Sequence, residues 1–438
     1  MKYTSQNVLI ISMNQLKKYG AIGGAVALVL CWPLAVGHIG QKVIEDGVAQ
    51  LNNEGVAAEI VSYDRSYLSS VVETRYQVQD PILKEQLEVD GLPTELVVKS
   101  DISHGLMSLT ANSVLKNFPD FPLLLKTVTQ LNGNTEFELS LDSWSYQGSD
   151  EQTVSMSISP SVVTGTATVL GKVSFQLNVP SVQLDFENGE QLVINQVSAK
   201  GEGKQENGFW LGEQSASMKQ FSILDQNHDS LFDIDTIGYT FKSSLNAESD
   251  RIDTQHIFDM TQLTYPEGAQ LSDLNVDFAM NSLDRSAFEG LVSLYRSNPS
   301  LAHADINEIA PLIENLFARG FQVSMNDMHF KIAEEEFKSK WLVEVPEGTE
   351  NVSRDPSVVL PALQGNMNAY MSQGMALAHP MLAQGVDELV VMDMIKEKDA
   401  GYELDANIEG GQLVFENGQQ IPLIALFLPL LMGQSMGQ

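Results

Sequence analysis

The chain reads as an α+β protein, mainly antiparallel β, carried on one N-terminal transmembrane helix. Three observations predict this. Residues 19–41 carry no formal charge, period-two alternation of apolar residues dominates the rest of the chain, and Asn-Gly pairs punctuate the alternating runs. The expected body is an elongated β-meander with interspersed helices. Its order is a cytoplasmic tail at 1–18, an anchor at 19–40, a β-rich part at 41–280 and a helix-plus-strand part at 281–438.

The anchor comes first. A helix needs roughly 20 apolar residues to cross the hydrocarbon core, and this stretch supplies them. Lys2, Lys17 and Lys18 precede it without a single acid, whereas Lys42, Glu45 and Asp46 come after it. Positive flanks stay in the cytoplasm, so the C-terminal part is expected across a bacterial inner membrane, in the periplasm. A cleaved signal peptide is the rival reading, with Ala35-Val36-Gly37 as its exit, but it calls for a shorter apolar core. Lipid attachment at Cys31 is disfavoured because Leu30, not a small residue, precedes it. Trp32 and Pro33 suit the outer end of a span. Gly20-x-x-x-Gly24 with Ala25 and Ala27 offers a seam for a homo-oligomer, although glycine is common in spans anyway. Met13 is a second credible start.

Charge narrows the partners. Beyond residue 40 the chain holds 22 basic and 57 acidic residues, a net −35. Such a surface repels nucleic acid and anionic head groups, which excludes nucleic acid as a partner of the body. With 43% hydrophobic and 19% charged residues, the chain is too apolar for a disordered acidic tail. The lone cysteine lies in the anchor, so the body has no disulfide and relies on burial and strand pairing.

Strands are predicted from Phe137, Leu139 and Leu141; from Val154, Met156 and Ile158; from Val173 to Val179; and from Val182, Leu184 and Phe186. Asn-Gly at 132–133, 188–189, 207–208 and 417–418 favours tight hairpin turns, because both residues accept positive φ. Together these signals predict a long meander from 135 to 280.

Helices are expected where the period changes. Residues 113–131 have helical spacing broken by Pro119 and Pro122. Phe288, Leu291, Leu294 and Tyr295 form one amphipathic face; Ile306, Ile309, Ile313, Leu316 and Phe317 form another, ended by Arg319-Gly320. Residues 347–361 read as a loop, and 366–396 as a helical region kinked at Pro380. The stretch 183–191 matches 412–420 at seven of nine positions, 229 residues apart. A duplicated helix-plus-meander unit would explain the match and the length. Reuse of a good hairpin turn explains the match as well.

Chemistry is sparse. The Asp225, Asn227, Asp229 and Asp233 spacing imitates a calcium loop, but Ser230 and Thr236 stand where glycine and a bidentate glutamate belong, so a polar hairpin is the better reading. Met367, Met371 and Met375 have thioether spacing for Cu(I), against the simpler role of core filler. The histidines at 38, 104, 228, 256, 303, 329 and 379 form no metal pair and no catalytic box. Trp210 reads as a sheet-packing residue. The run 421–432 is too short to span a bilayer; terminal packing is one reading and lipid contact the sharper one. No catalytic, cofactor-binding or metal-binding residue is nominated, and no cofactor is expected.

With an N-in anchor followed by Tyr63-Asp-Arg65-Ser-Tyr-Leu68-Ser69-Ser70, the chain resembles the YdgA family of bacterial envelope proteins, with Ser66 in place of the usual glycine. The hairpin at 411–418 and the turn at 208–212 also fit the family pattern. The resemblance implies an inner-membrane-anchored periplasmic homodimer of undefined role and carries over no catalytic residue. The function expected is therefore non-enzymatic: a sheet face or groove offered to a second copy, an envelope protein or lipid. A periplasmic hydrolase built from distant residues and a metal-responsive protein are the alternatives.

Overall fold

The computed structural model describes residues 56–424 except 67–68, 80–83, 86, 89–92, 106–107, 131, 148–153, 207–208, 269, 298–305 and 379. The expected cytoplasmic tail, the anchor with Cys31 and the Gly20/Gly24 seam, and residues 425–432 lie outside the described residues. So do Asn207-Gly208 and three histidines, His38, His303 and His379. No described helix is long and apolar enough to cross a membrane. The fold is mainly antiparallel β, 63% strand against 17% helix, as the alternation predicts. The described residues form two compact units. One runs to Val182 and includes Ser198–Glu202; the other holds Gln183–Val197 and the chain from Gly203.

The first unit contains β1 (Val56–Arg65), β2 (Ser69–Val78), β3 (Glu95–His104), β4 (Ser108–Leu115), β5 (Leu123–Gln130), β6 (Thr135–Leu141), β7 (Trp144–Gln147), β8 (Ser155–Ile158), β9 (Ser161–Ala167) and the first part of β10 (Lys172–Asp185). Each strand from β1 to β6 pairs antiparallel with the next. β6 then pairs with β9 and β9 with β10, while β7 and β8 form a hairpin joined to β10 through β8. One face is apolar: Val98 stands opposite Leu115, and Leu125 opposite Leu139. With Ala58, Tyr76, Leu123 and Phe137 these residues make a buried core. Burial pushes the Tyr76 phenol up to about 12. Gly165 faces Phe137 across β9 and β6, and a Cβ there would lie 2.5 Å from the ring, so glycine is what lets the ring lie over the strand.

Two expectations fail in this unit. Residues 113–130 of the stretch expected to be helical are not; they are the end of β4, a connection holding Pro119 and Pro122, and β5. The alternating burial at Ser113 and Leu115, then at Leu123 and Leu125, decides for strands, and the prolines fit only the connection. The alternating sets at 173–179 and 182–186 are likewise not two strands. They belong to the single 14-residue β10, with the last residue, Phe186, opening the following turn.

The second unit contains parts of β11 (Gln191–Glu206), then β12 (Phe209–Leu224), β13 (Ser230–Asn246), β14 (Arg251–Thr264) and β15 (Gln270–Asp284). Two helices come next, α1 (Arg285–Ser297) and α2 (Ile306–Arg319), and then β16 (Phe321–Ile332) and β17 (Glu335–Val345). After α3 (Val359–Ala362) and β18 (Gln364–Ser372) come α4 (Gln373–Ala378) and α5 (Pro380–Val391). The unit ends with β19 (Lys396–Lys398), β20 (Gly401–Glu409), β21 (Gln412–Phe415) and β22 (Gln420–Pro422). From β12 to β18 each strand pairs antiparallel with the next, and the ladder continues through β20, β21 and β22. The meander thus runs well past 280. The boundary expected at 280/281 falls inside β15.

Asp284 starts α1 by accepting the Ala287 N–H at 2.9 Å, and the same oxygen accepts Asn315 Nδ2 from α2 at 2.9 Å. Gly290 lets the two helices approach, since a Cβ there would meet Leu312 at 2.8 Å. Gly320, at φ 70, closes α2 with an N–H to the Phe317 carbonyl, the predicted ending. Ala287 and Leu316 bury against Ile252 and Leu283 of the sheet. Residues 347–361 are mostly loop, as expected, ending in a 3₁₀ turn and α3. The helical region expected at 366–396 is wrong at both ends: 366–372 is strand, helix covers Gln373–Ala378 and Pro380–Val391, and Lys396 opens β19.

The hairpin turns share one geometry. At Asn132-Gly133, Asn188-Gly189 and Asn417-Gly418 the glycine alone has positive φ, at 83, 82 and 82 degrees. These are three-residue loops with a left-handed third residue, not the two-residue turns that Asn-Gly suggests. Asn188-Gly189 and Asn417-Gly418 close the two halves of the nine-residue echo. Both halves belong to the second unit, and each closes a hairpin of the same kind.

Candidate functional site

The second unit's sheet is amphipathic, and its apolar face is the most site-like feature of the described residues. Registered partners point to the same side of a sheet. Phe241, His256, Phe278, Met325, Trp341, Met367, Ala406 and Phe415 are successive partners, so they form one lateral row across eight strands. Phe241 and His256 lie 4.9 Å apart by ring centroids, His256 and Phe278 6.3 Å, and Phe278 and Trp341 6.4 Å. Parallel rows extend it: Tyr239, Phe258, Val276 and Met328 on one side, Met280, Val323, Val343 and Ile408 on the other.

Helices cover its two ends. Phe288 and Leu291 of α1 pack with Met280, Leu245 and Phe209 at one end. Leu389 of α5 and Met394 pack with Leu404, Ala406, Ile408 and Phe415 at the other. Between them Phe258, Phe278, Met325, Met328, Trp341 and Met367 are only part-buried.

The opposite face is polar. Gln255 Nε2 donates to Asp277 at 2.8 Å, Asn275 Nδ2 to Asp327 at 2.9 Å, and Asn368 Nδ2 to Asp405 at 2.7 Å. A bulge in β16 sorts the faces: Met325 and Met328 stay on the apolar side while the extra residue sends Asn326 and Asp327 toward the carboxamides and lysines.

His256 sits inside the apolar row. Its Nδ1 lies 2.7 Å from the Tyr239 hydroxyl, and the surrounding rings lower its pKa by desolvation. The same cause raises that of Tyr239.

The other sequence candidates separate. Asp225 immediately precedes a three-residue loop of the kind already described, residues 226–228, with His228 at φ 63 in the glycine place. Its carboxylate accepts the N–H groups of Asn227 and Asp229, and Asp233 lies on β13 bonded to Ser222 and Gln220. The Asp225–Asp233 spacing is therefore that of a hairpin. Met367 and Met371 lie on β18, about 13 Å apart along an extended strand, and Met375 is buried in α4. Spacing of four keeps residues on one face of a strand as it does on a helix, which is why the pattern misled. Among the described residues no group of three or more His, Cys, Asp or Glu could hold a metal.

Ser70 of the box at 63–70 bonds His104 Nε2 at 2.9 Å, but Ser70 is 2% exposed, sealed away from any substrate. The box itself spans β1, its turn and β2, with Arg65 opposite Ser70; Tyr67 and Leu68 lie outside the described residues. His329 has Asp327 at 2.8 Å and Asp273 at 3.8 Å on the half-exposed polar face, where Lys331 holds the Asp273 carboxyl below its usual range. The Trp210 ring lies against Gly203, where a Cβ would approach it to 2.7 Å, and its buried Nε1 has no hydrogen-bond partner among the described residues.

Periodicity gave the strands but not the row. The row depends on register, and register depends on bulges at 272–275, 277–278 and 325–328 that leave no mark in an apolar pattern.

No curated protein and no solved structure matches the chain. A family model described as a bacterial protein of unknown function (DUF945) matches residues 16–424, and the chain belongs to that family.

Proposed function

We propose that this chain is a membrane-tethered, non-enzymatic envelope protein whose second unit offers an apolar sheet face to the acyl chains of lipid. The observation that carries the reading is the row from Phe241 to Phe415, apolar across eight strands and part-buried in its middle. A part-buried apolar surface continuous over several strands is the kind of surface that marks interaction sites. Lipid is favoured over a peptide because the ladder already pairs the central strands' backbone groups, leaving side-chain surface with few donors. Methionine and aromatic side chains adapt to chains of varied shape.

The anchor read at 19–40, with its positive cytoplasmic flank, supports an inner-membrane site with the body in the periplasm. The box at 63–70 supports a YdgA-like subgroup, and Gly20-x-x-x-Gly24 supports a homo-oligomer through the anchor.

The body, released from its anchor by an engineered protease site after Gly40 and purified without detergent, should carry lipid detectable by mass spectrometry. Trp341→Asp should reduce that lipid at least several-fold without unfolding the body. A clean extract from the unsubstituted body discards the lipid reading. A C-terminal reporter active only in the cytoplasm discards the topology.

A further inference from the structure

The three rows of the apolar face are not alike from end to end. They cross β13 to β18 from Ser243 to Gly365, from Phe241 to Met367 and from Tyr239 to Ala369. No aspartate, glutamate, lysine or arginine stands in them. Lysines of these strands serve the polar face, where Lys340 meets Asp327 and Lys331 meets Asp273. Of the polar members of the rows, Ser243, Thr254 and Ser339 are buried. One pair is left within reach of a ligand, Tyr239, 39% exposed, and the part-buried His256. The Tyr239 hydroxyl lies 2.7 Å from His256 Nδ1. With that hydroxyl donating, the ring's proton sits on Nε2, a donor without a partner among the described residues. The far half of the rows holds only the Trp341 N–H, on a ring that is otherwise apolar. Hydrogen-bonding groups thus gather on β13 and β14, and hydrocarbon on β15 to β18.

We infer that this face takes a glycerolipid of zero net charge in one direction, an ester carbonyl on His256 Nε2 and an acyl chain laid across the strands toward Met367. The length fits. From β14 to β18 there are four strand spacings, about 19 Å, against about 15 Å for one leaflet's share of a bilayer core. A chain that starts at His256 therefore ends between Trp341 and Met367. The direction follows from the two ends. Tyr239 is open to water, where a head group can stay, whereas beyond Met367 the row closes on Ala406 and Phe415, 6% and 4% exposed. The lipid class follows from charge. A carboxylate or an anionic head group would find no cation in the three rows and a strongly acidic body around it. Apolar burial supplies the affinity, and one net hydrogen bond biases the two directions by about five-fold. The inference rests on the lipid-contact reading and adds to it a direction and a lipid class.

Photo-crosslinking of the full-length protein in phosphatidylcholine vesicles tests it. Two phosphatidylcholine probes carry a diazirine, one beside the ester carbonyl and the other at the chain end. The ester-side probe should label β13 and β14 about five-fold more than β17 and β18, and the chain-end probe the reverse. His256→Phe with Tyr239→Phe should merge the two patterns. The same probes built on phosphatidylglycerol should label these strands several-fold less. Identical or reversed patterns in the unsubstituted protein overturn the direction and leave the lipid contact standing. A preference that survives the double substitution overturns the role of His256. Equal labelling by the phosphatidylglycerol probes overturns the lipid class. No labelling of these strands by any probe discards the inference together with the lipid reading.

Discussion

One carboxylate oxygen of Asp225 accepts the backbone N–H of Asn227 at 2.8 Å and that of Asp229 at 2.9 Å. Those bonds, the one from Asp229 foremost, hold the Asp225 carboxyl below its ordinary range. The group is thus engaged by the turn and has little left for a cation. Calcium at millimolar concentration should leave the melting temperature unchanged. The sign with pH is set by the depressed value. The carboxylate's contribution is present above its unfolded pKa and disappears as pH falls through the folded one. Asp225→Ala should lower stability at neutral pH and flatten the acid limb of an unfolding-midpoint-against-pH curve.

His228 holds φ 63 where the matching turns have Gly133, Gly171, Gly189 and Gly418 at φ 78 to 83. A side chain in the left-handed region is strained, and glycine relieves this at some entropic cost in the unfolded chain. His228→Gly should therefore stabilise by about 0.5 kcal/mol. Urea unfolding of the two proteins side by side checks it, and a loss of stability would contradict the turn assignment.

Asp284 is 7% exposed, caps α1 and holds α2 through Asn315, while Arg319 Nε lies 3.3 Å from its other oxygen. Removing the carboxyl strands the Ala287 N–H and the Asn315 amide in a buried place. Asp284→Ala should cost about 2–4 kcal/mol, from the lost cap and the unpaired partners together. Asp284→Asn keeps a capping oxygen and should cost clearly less. Equal losses in the two variants would mean that the charge near Arg319, not the cap, is what matters.

Sequence made some of this legible and hid the rest for identifiable reasons. Phe137 and Leu139 announced β6 because one face is buried and the other wet, the condition under which period two is visible. The apolar face of α2, ending at Gly320, was equally plain because capping chemistry is local. Met367 and Met371 misled because a spacing of four satisfies both periods, and 113–131 misled because its apolar residues belong to two strands joined by a proline-bearing turn. The apolar row was invisible for a different reason. Its members come from eight strands, and the link between Met325 and Trp341 depends on a bulge at 326–327 that shifts one strand against its neighbour.

That row also carries its own pH response. Phe241 and Phe278 flank His256 and desolvate it, so its folded pKa lies below the ordinary imidazole value. Tyr239 bonds the neutral ring through Nδ1 at 2.7 Å. A base whose folded pKa is depressed leaves the unfolded chain holding more protons between the two values. Stability is therefore full above the ordinary imidazole pKa and falls as pH drops from there to the folded value. His256 is only part-buried, so solvent screening keeps the loss modest. His256→Phe keeps the row apolar and removes the titration. The difference in urea midpoint between pH 7.5 and pH 5.5 should shrink in that variant, while lipid carried by the released body should hold or increase. An unchanged difference would mean that the ring is solvated in the folded protein, and the middle of the face would then be wetter than its exposure indicates.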